Sequence, residues 1–123
     1  MIVLGADGYL EWPTSYHLSA RGYEVIAVDS LVRRRWDTRC GTNSLVPIAS
    51  MERRVARWAA ETGRSIPWVR LDLRNRADLT ELITRHRPDA VVHFAVPRGH
   101  GHLALRSEGR TLAASTHGER WPA

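Results

Sequence analysis

The sequence of 123 residues contains no lysine, because all 18 of its basic residues are arginine. Against 13 acidic residues, the arginines give a formal net charge of +5. A basic charge favours nucleic-acid binding where it is concentrated, and these arginines are scattered apart from residues 33–35. We therefore expect no nucleic-acid partner; salt-dependent affinity for DNA would support that alternative class of protein.

Cysteine and long apolar runs are equally scarce. Cys40 is the only cysteine, which excludes an internal disulfide bond and a metal cluster built on cysteine. His100 and His102 have no acidic cluster nearby in the sequence, so we expect no bound metal. No apolar run reaches the roughly 18 residues of a membrane-spanning helix, and residues 1–4 are too short for a secretory signal. We expect a cytoplasmic protein without a membrane partner.

Four short apolar runs alternate with segments of helical period along the chain. The predicted strands are residues 1–4, 24–28, 66–71 and 90–95, and the predicted helices are about 9–21, 51–61 and 77–86. Gly22 and Gly63 stand where helix-ending glycines belong, and Ser50 stands where a helix cap belongs. The order β-α-β-α-β-α-β predicts an α/β fold, a partial Rossmann-type doubly wound parallel sheet.

Two segments lack a clear period. Residues 30–50 are predicted to form a long irregular connection between the second strand and the next helix. Residues 96–123 contain several glycines and prolines and are predicted to be an irregular tail, which leaves residues 1–95 as the folded domain. His93 lies within the apolar fourth strand, so we interpret it as a buried histidine with a backbone partner rather than as a catalytic group.

The turn after the first strand carries the strongest functional signal. Gly5 and Gly8 allow a sharp bend that brings backbone N–H groups close to a diphosphate at the start of a helix. Asp29 ends the second strand about 20 residues later, where an acid accepts hydrogen bonds from the adenosine ribose of NAD. Together these features predict a dinucleotide site that prefers NAD over its phosphorylated form.

Asp72 and Leu73 end the third strand, at a place that suits contact with the edge of an adenine ring. An equally supported alternative is that Asp72 caps the next helix, since aspartate is common at helix N-termini. The sequence leaves these two interpretations of the Asp72 side chain open.

Two residues depart from the dinucleotide pattern. The fingerprint places a third glycine at position 11, and this chain has Glu11, whose bulk and charge would lie near the diphosphate. Pro13 costs about 3 kcal/mol if the helix starts at Tyr9, and it is tolerated if the helix starts at Trp12. We predict that NAD binding is weak or lost, which calorimetric titration of NAD would test.

Residues 5–9, Trp12, Asp29, Asp72 and the strand at 91–94 resemble the extended short-chain dehydrogenase/reductase superfamily, the NAD-dependent nucleotide-sugar epimerases and dehydratases. Within that superfamily, the segment 30–66 resembles the UDP-sulfoquinovose synthases. The matching positions are residues 30–34, Asp37, Gly41, residues 44–45, residues 47–50, Arg54, Trp58, residues 62–63 and residues 65–66. The resemblance covers residues 1 to about 98 and implies a bound NAD, a UDP-sugar substrate and a role in sulfolipid synthesis.

The resemblance also implies which residues contact NAD. Those at the diphosphate are Gly5, Gly8, Tyr9 and Leu10. Those bordering the adenosine are Asp29, Ser30, Leu31, Val32 and Arg33, with Asp72 and Leu73 beside the adenine. Those under the nicotinamide half are Phe94 and Ala95, with Arg98 at the junction between cofactor and substrate.

The catalytic pair implied by the resemblance is a Tyr-x-x-x-Lys motif, in which tyrosine exchanges a proton and lysine lowers the tyrosine pKa. None of Tyr9, Tyr16 and Tyr23 has a lysine four residues on, so no catalytic residue is expected in this chain. We expect the N-terminal, NAD-binding part of such an enzyme, inactive in isolation. The alternatives are a non-catalytic nucleotide-binding module and an enzyme completed by a separately encoded C-terminal half.

The resemblance stops abruptly after Arg98. An abrupt loss followed by unrelated residues predicts a frame-shifted tail or a degraded gene copy, which resequencing of the gene would test. A partial sheet also exposes one strand edge and apolar helix surface, so we expect poor solubility or a molten state.

Overall fold

The computed structural model describes residues 1–42 and 46–94 of the chain. Strands and helices follow one another in the order β1, α1, β2, α2, α3, β3, α4 and β4. The strands are β1 (Ile2–Leu4), β2 (Ile26–Asp29), β3 (Trp68–Arg70) and β4 (Val91–His93). The helices are α1 (Glu11–Ala20), α2 (Val32–Arg39), α3 (Met51–Thr62) and α4 (Arg76–His86).

Local chemistry explains where several helices begin and end. The side chains of Ser50 and Asn75 each accept a hydrogen bond from the backbone N–H three residues on, which caps α3 and α4. Gly22 and Gly63 follow α1 and α3 with φ angles of 93° and 69°. Glycine adopts this left-handed conformation without the steric cost that other residues carry, so the predicted helix ends are confirmed.

The four strands are parallel and lie in the spatial order β3-β2-β1-β4, which confirms the predicted partial Rossmann-type doubly wound sheet. In this register Leu4 at the end of β1 pairs with Val28 of β2 and with His93 of β4. Since the carboxyl ends of parallel strands share one edge of the sheet, the segments that follow the strands meet at that edge.

Apolar side chains cover both faces of the sheet. The cluster on the face of α1 and α3 consists of Val3, Ala6, Trp12, Val25, Ala27, Met51 and Ile66. The cluster on the face of α4 consists of Ile2, Leu4, Val28, Leu71 and Leu82. Successive residues of β1 belong to opposite clusters because strand side chains alternate, which explains why β1 is apolar throughout.

Helices α1 and α3 are joined by an aromatic stack. The Tyr16 ring lies 4.5 Å from the Trp12 ring and 4.4 Å from the Trp58 ring, measured between centroids. The Trp58 indole N–H donates to the buried Ser19 hydroxyl at 3.0 Å, so the polar atoms of this contact are paired. These contacts fix α3 beside α1.

Two of the sequence-based predictions are wrong, and one of the two open interpretations of Asp72 is excluded. Residues 30–50 contain helix α2, which was not predicted because it buries no residue and therefore shows no apolar period. Asn75 rather than Asp72 caps α4. His93 is exposed rather than buried, because β4 is a terminal strand among those the structure describes.

The start of α1 decides the effect of Pro13. The helix begins at Glu11, between the two starts considered from the sequence, so Pro13 is its third residue. The first four N–H groups of a helix have no acceptor within the helix, and a proline among them removes no helical hydrogen bond. The cost predicted for an earlier start therefore does not apply.

Candidate functional site

The turn between β1 and α1 bends at Gly5, whose φ of 84° lies in the left-handed region that favours glycine. The N–H groups of Gly5 and Ala6 donate to the Val28 carbonyl at 2.8 and 3.0 Å. The Gly8 N–H then donates back to the Gly5 carbonyl at 3.0 Å. These bonds tie the turn, which we call the glycine turn (residues 5–8), to the carboxyl end of β2.

Asp29 lies against the glycine turn. Its Oδ2 accepts a hydrogen bond from the Asp7 backbone N–H at 3.0 Å, and its Oδ1 accepts one from the Leu31 N–H at 2.6 Å. The structure thus brings together the turn and the acid that the sequence singled out separately. Because a carboxylate has about four lone-pair positions, Asp29 keeps acceptor capacity for the hydroxyl groups of a ligand.

Asp7 is the centre of a charge network that the sequence analysis missed. Its carboxylate accepts two hydrogen bonds from the forked guanidinium of Arg34, from Nε and Nη2, both at 2.6 Å. The Arg54 Nη1 lies 3.6 Å from the same carboxylate, whose side chain is only 10% exposed. The available signals were an acid between two glycines and the run of arginines at 33–35, but only the fold shows that they meet.

Arg34 also connects the glycine turn to the segment before α3. Its Nη2 donates to the Ala49 carbonyl at 2.7 Å, and its Nη1 donates to the Ile48 carbonyl at 3.3 Å. The hydrogen bonds to Asp7 raise the pKa of Arg34 above its ordinary value. One side chain therefore joins α2, the glycine turn and the approach to α3.

Arg54 is held in a different way. Its Nη1 is buried without a hydrogen-bond partner, and burial lowers the pKa of this guanidinium. Attraction to the Asp7 carboxylate and to the face of the Trp12 ring, 5.5 Å from the guanidinium carbon, opposes that cost. The network therefore depends on the negative charge of Asp7.

Glu11, at the first position of α1, folds back onto the glycine turn. Its Oε2 accepts a hydrogen bond from the Leu10 backbone N–H at 3.0 Å. A Cβ atom built on Gly8 would overlap the Glu11 carboxylate. The space that Gly8 leaves open is therefore filled by a negatively charged side chain of the same protein.

The residues predicted to border the adenosine follow Asp29 directly. The Ser30 hydroxyl accepts a hydrogen bond from the Val32 N–H at 3.3 Å, and Leu31 has a φ of 55° and packs against the cluster under α1 and α3. Arg33 is exposed on α2. These residues lie beside Asp29, and their contacts with a cofactor stay a prediction.

Three further predicted residues lie near the same edge of the sheet. Tyr9 and Leu10 follow the glycine turn with 85% and 58% exposure, so both are open to a ligand. The Phe94 N–H donates to the Leu4 carbonyl at 3.3 Å, which places Phe94 beside the end of β1. Ala95 and Arg98 lie outside the described residues, as does the predicted tail of residues 96–123.

Asp72 is engaged by Arg74 rather than by the N-terminus of α4. Its carboxylate accepts hydrogen bonds from the Arg74 guanidinium, the shortest at 2.6 Å, and from the Arg74 backbone N–H at 3.0 Å. These bonds lower the pKa of Asp72 from 3.8 to about 2. Leu73 packs against the cluster under α4. The predicted adenine contact of both residues stays a prediction.

The side chains for proton transfer in the superfamily have no counterpart in this sequence. The Tyr16 hydroxyl donates to the Arg54 carbonyl at 3.3 Å, and its ring is part of the stack between α1 and α3, so it is used structurally. Lysine is absent from all 123 residues. Within residues 1–42 and 46–94, no group of three His, Cys, Asp or Glu side chains could hold a metal. His100 and His102 lie outside these ranges.

The chain is similar to known proteins over most of its length. Residues 1–120 match the sequence model of the "NAD dependent epimerase/dehydratase family". The chain is 43% identical over 98 residues to the chloroplastic UDP-sulfoquinovose synthase of Spinacia oleracea, covering 80% of this chain and 20% of that protein. It is 37% identical over 98 residues to the UDP-sulfoquinovose synthase of Sulfolobus acidocaldarius, covering 80% and 25%. The chain thus spans a fifth to a quarter of the length of these relatives.

A solved structure has a similar fold over most of this chain. The UDP-glucose-4-epimerase of Stenotrophomonas maltophila, with bound NAD and formylated UDP-arabinopyranose, superposes with a TM-score of 0.56 at 28% identity. The match covers 80% of this chain and 24% of that structure. None of the helices in the described part of the chain is long and apolar enough to cross a membrane. On the fold, the site and the sequence match together, the chain belongs to the NAD dependent epimerase/dehydratase family.

Proposed function

We propose that this chain forms the adenosine-binding half of the NAD site in a nucleotide-sugar enzyme of the UDP-sulfoquinovose synthase kind. The observation that carries the proposal is the hydrogen bond of 3.0 Å from the Asp7 backbone N–H to the Asp29 carboxylate. It places the acid that suits a ribose beside the turn that suits a diphosphate. The similarity to two UDP-sulfoquinovose synthases supports a UDP-sugar as the substrate of the whole enzyme and sulfolipid synthesis as its role.

The residues of the chain fit the adenosine end of NAD. Asp29 accepts hydrogen bonds from the ribose hydroxyls, and its charge repels the phosphate that distinguishes the phosphorylated cofactor. Gly5 and Gly8 shape the turn that faces the diphosphate. When bound, NAD supplies hydride transfer, while the residues of this chain bind and orient its adenosine half.

The proton-transfer step needs side chains from elsewhere. Tyrosine and lysine are required as a pair, and the chain has no lysine, so it is inactive in isolation. We propose that a C-terminal half of the enzyme carries the pair and binds the UDP-sugar. The open reading frame downstream of this gene tests the idea, because a matching half should be present there and should restore turnover when added. If no matching half is found, the proposed role of this chain is limited to nucleotide binding.

Calorimetric titration of NAD and of its phosphorylated form tests the binding proposal. The chain should bind NAD more tightly, and Asp29→Asn should reduce the preference at least about tenfold, since the substitution removes the charge that repels the extra phosphate. Asp89→Asn is the matched control, because Asp89 is an exposed aspartate far from the turn in sequence. Equal affinity for both cofactors in all three proteins would overturn the proposal.

A second candidate is a nucleotide-binding module that never catalyses. In that case NAD binds, but a supplied C-terminal half produces no turnover. The cytoplasmic location expected from the sequence stays a prediction, which fractionation of the source cells would test.

A further inference from the structure

The diphosphate position of the glycine turn already holds an anion. Dinucleotide sites use glycine at the position of Gly8 so that the backbone can approach the diphosphate closely. Here the Glu11 carboxylate occupies the volume that a Gly8 side chain would need. The Glu11 carboxylate therefore lies on the side of Gly8 from which a diphosphate would approach.

The same carboxylate also uses a backbone donor of the turn. N–H groups at a helix start have no acceptor within the helix, and they are the groups that bind phosphate in such folds. The Leu10 N–H donates to Glu11 Oε2 at 3.0 Å, and no side chain of Leu10 or a neighbour provides a conventional cap for α1. One donor that a diphosphate would use is thus already satisfied.

From these contacts we infer that Glu11 is an internal competitor of the diphosphate, an autoinhibitory contact within the NAD site. The inference rests on the proposed function for the identity of the ligand. Entry of a diphosphate requires the Glu11 side chain to rotate away, break its bond to Leu10 and leave a negative charge close to the incoming phosphates. The unmodified chain therefore gains little affinity from the diphosphate and binds mainly through the adenosine.

The consequence is a specific pattern of ligand preference. In the unmodified chain, ADP binds about as tightly as adenosine, and inorganic pyrophosphate binds weakly. In Glu11→Ala, ADP and pyrophosphate should each bind at least about tenfold more tightly. The substitution removes the carboxylate that occupies the Leu10 N–H, and it removes the repulsion between that carboxylate and the phosphates. In Glu11→Gln the charge is lost but the amide oxygen still accepts from Leu10, so the gain should be intermediate.

Calorimetry with adenosine, ADP and pyrophosphate on these proteins tests the inference. Glu81→Gln is the matched control, since Glu81 is an exposed glutamate on α4 and its substitution changes the net charge equally. Amide NMR supplies a second readout: pyrophosphate should shift the Gly8 and Leu10 resonances in Glu11→Ala and not in the unmodified chain. Circular dichroism confirms that each variant is folded.

The outcomes separate the two proposals. A gain for pyrophosphate in Glu11→Ala without any binding of NAD would support the internal competitor and overturn the NAD proposal. Binding of NAD with equal pyrophosphate affinity in the unmodified chain and in Glu11→Ala would overturn the competitor and leave the NAD proposal intact. No pyrophosphate binding by any variant would also overturn the competitor.

Discussion

At the scale of single residues, Asp7 connects the glycine turn to the rest of the molecule. Its carboxylate pairs with two guanidinium groups, and one of these, on Arg54, has a buried nitrogen with no hydrogen-bond partner. Removing the charge of Asp7 leaves the guanidinium groups of Arg34 and Arg54 without the carboxylate that both contact, which costs more free energy than the loss of one hydrogen bond.

We expect Asp7→Asn to lower the free energy of unfolding by about 2 kcal/mol, below the usual cost of breaking a fully buried pair because Arg34 is 31% exposed. Urea denaturation followed by circular dichroism measures this change. Glu61→Gln is the control, since the Arg57–Glu61 pair is exposed and its loss should leave the midpoint unchanged. Equal effects of both substitutions would show that the Asp7 network adds no special stability.

The Asp72 carboxyl provides a residue-scale test by pH. Its folded pKa of about 2 lies below the ordinary 3.8, so its bonds to Arg74 favour folding above the ordinary pKa. That contribution declines as the pH falls from about 4 towards 2 and is lost below 2. NMR titration of the carboxyl carbon should give a midpoint near 2, and Arg74→Met should move it back towards 3.8. A midpoint near 3.8 in the unmodified chain contradicts the pairing.

At the scale of elements, helix α1 is shaped by where it starts. Pro13 is the third residue of a helix that begins at Glu11, so it removes no helical hydrogen bond. We expect Pro13→Ala to change the free energy of unfolding by less than about 1 kcal/mol, in place of the roughly 3 kcal/mol gain expected for an interior proline. Thermal unfolding of the two proteins distinguishes these values.

The side chain of Ser50 stabilises the start of helix α3 as an N-cap. The Ser50 hydroxyl accepts from the Arg53 N–H at 3.3 Å, and alanine at this position leaves that donor without a side-chain partner. Ser50→Ala should therefore lower the free energy of unfolding by about 1 kcal/mol, measured in urea. Ser50→Asp, which restores an acceptor, should recover most of it. Recovery would be absent if the hydroxyl acted through packing instead.

The strands and helices also show which parts of the fold leave a recognisable pattern in the sequence. All four strands and helices α1, α3 and α4 were predictable because burial and capping leave local patterns. Helix α2 was not, because none of its eight residues is fully buried and three of them are consecutive arginines. What fixes it is the Ser30 hydroxyl at its start and the bonds of Arg34 to Asp7, Ile48 and Ala49. The contacts of Arg34 join residues far apart in the sequence, so no local period reports them.

At the scale of the whole molecule, β4 is a terminal strand of the sheet that the described residues form. Among the described strands β4 pairs only with β1, and Val91 and Phe94 are 43% and 37% exposed. An apolar strand with a free edge is a template for pairing with another chain. The part of the sheet described here therefore favours association between copies.

We expect the 123-residue polypeptide to self-associate as its concentration rises, which sedimentation velocity measures. Val91→Lys should reduce the association, because a charge on an edge strand disfavours pairing. Leu4 and the other buried residues of β1 are untouched by this change, so the far-ultraviolet circular dichroism should be unaltered. A monomeric chain with a sharp, cooperative thermal transition would refute the expected poor solubility.

The sequence alone determined the alternation of strands and helices, the glycine turn and the position of Asp29, since each follows from burial periods and residue types close together in the chain. Only the tertiary structure decided that Asp7 meets Arg34 and Arg54, that Pro13 is harmless, and that Glu11 folds over Gly8. The physical reason is that charge pairing and the competition for a backbone donor depend on distances of a few ångströms between side chains, and such distances exist only once the sheet has brought the segments together.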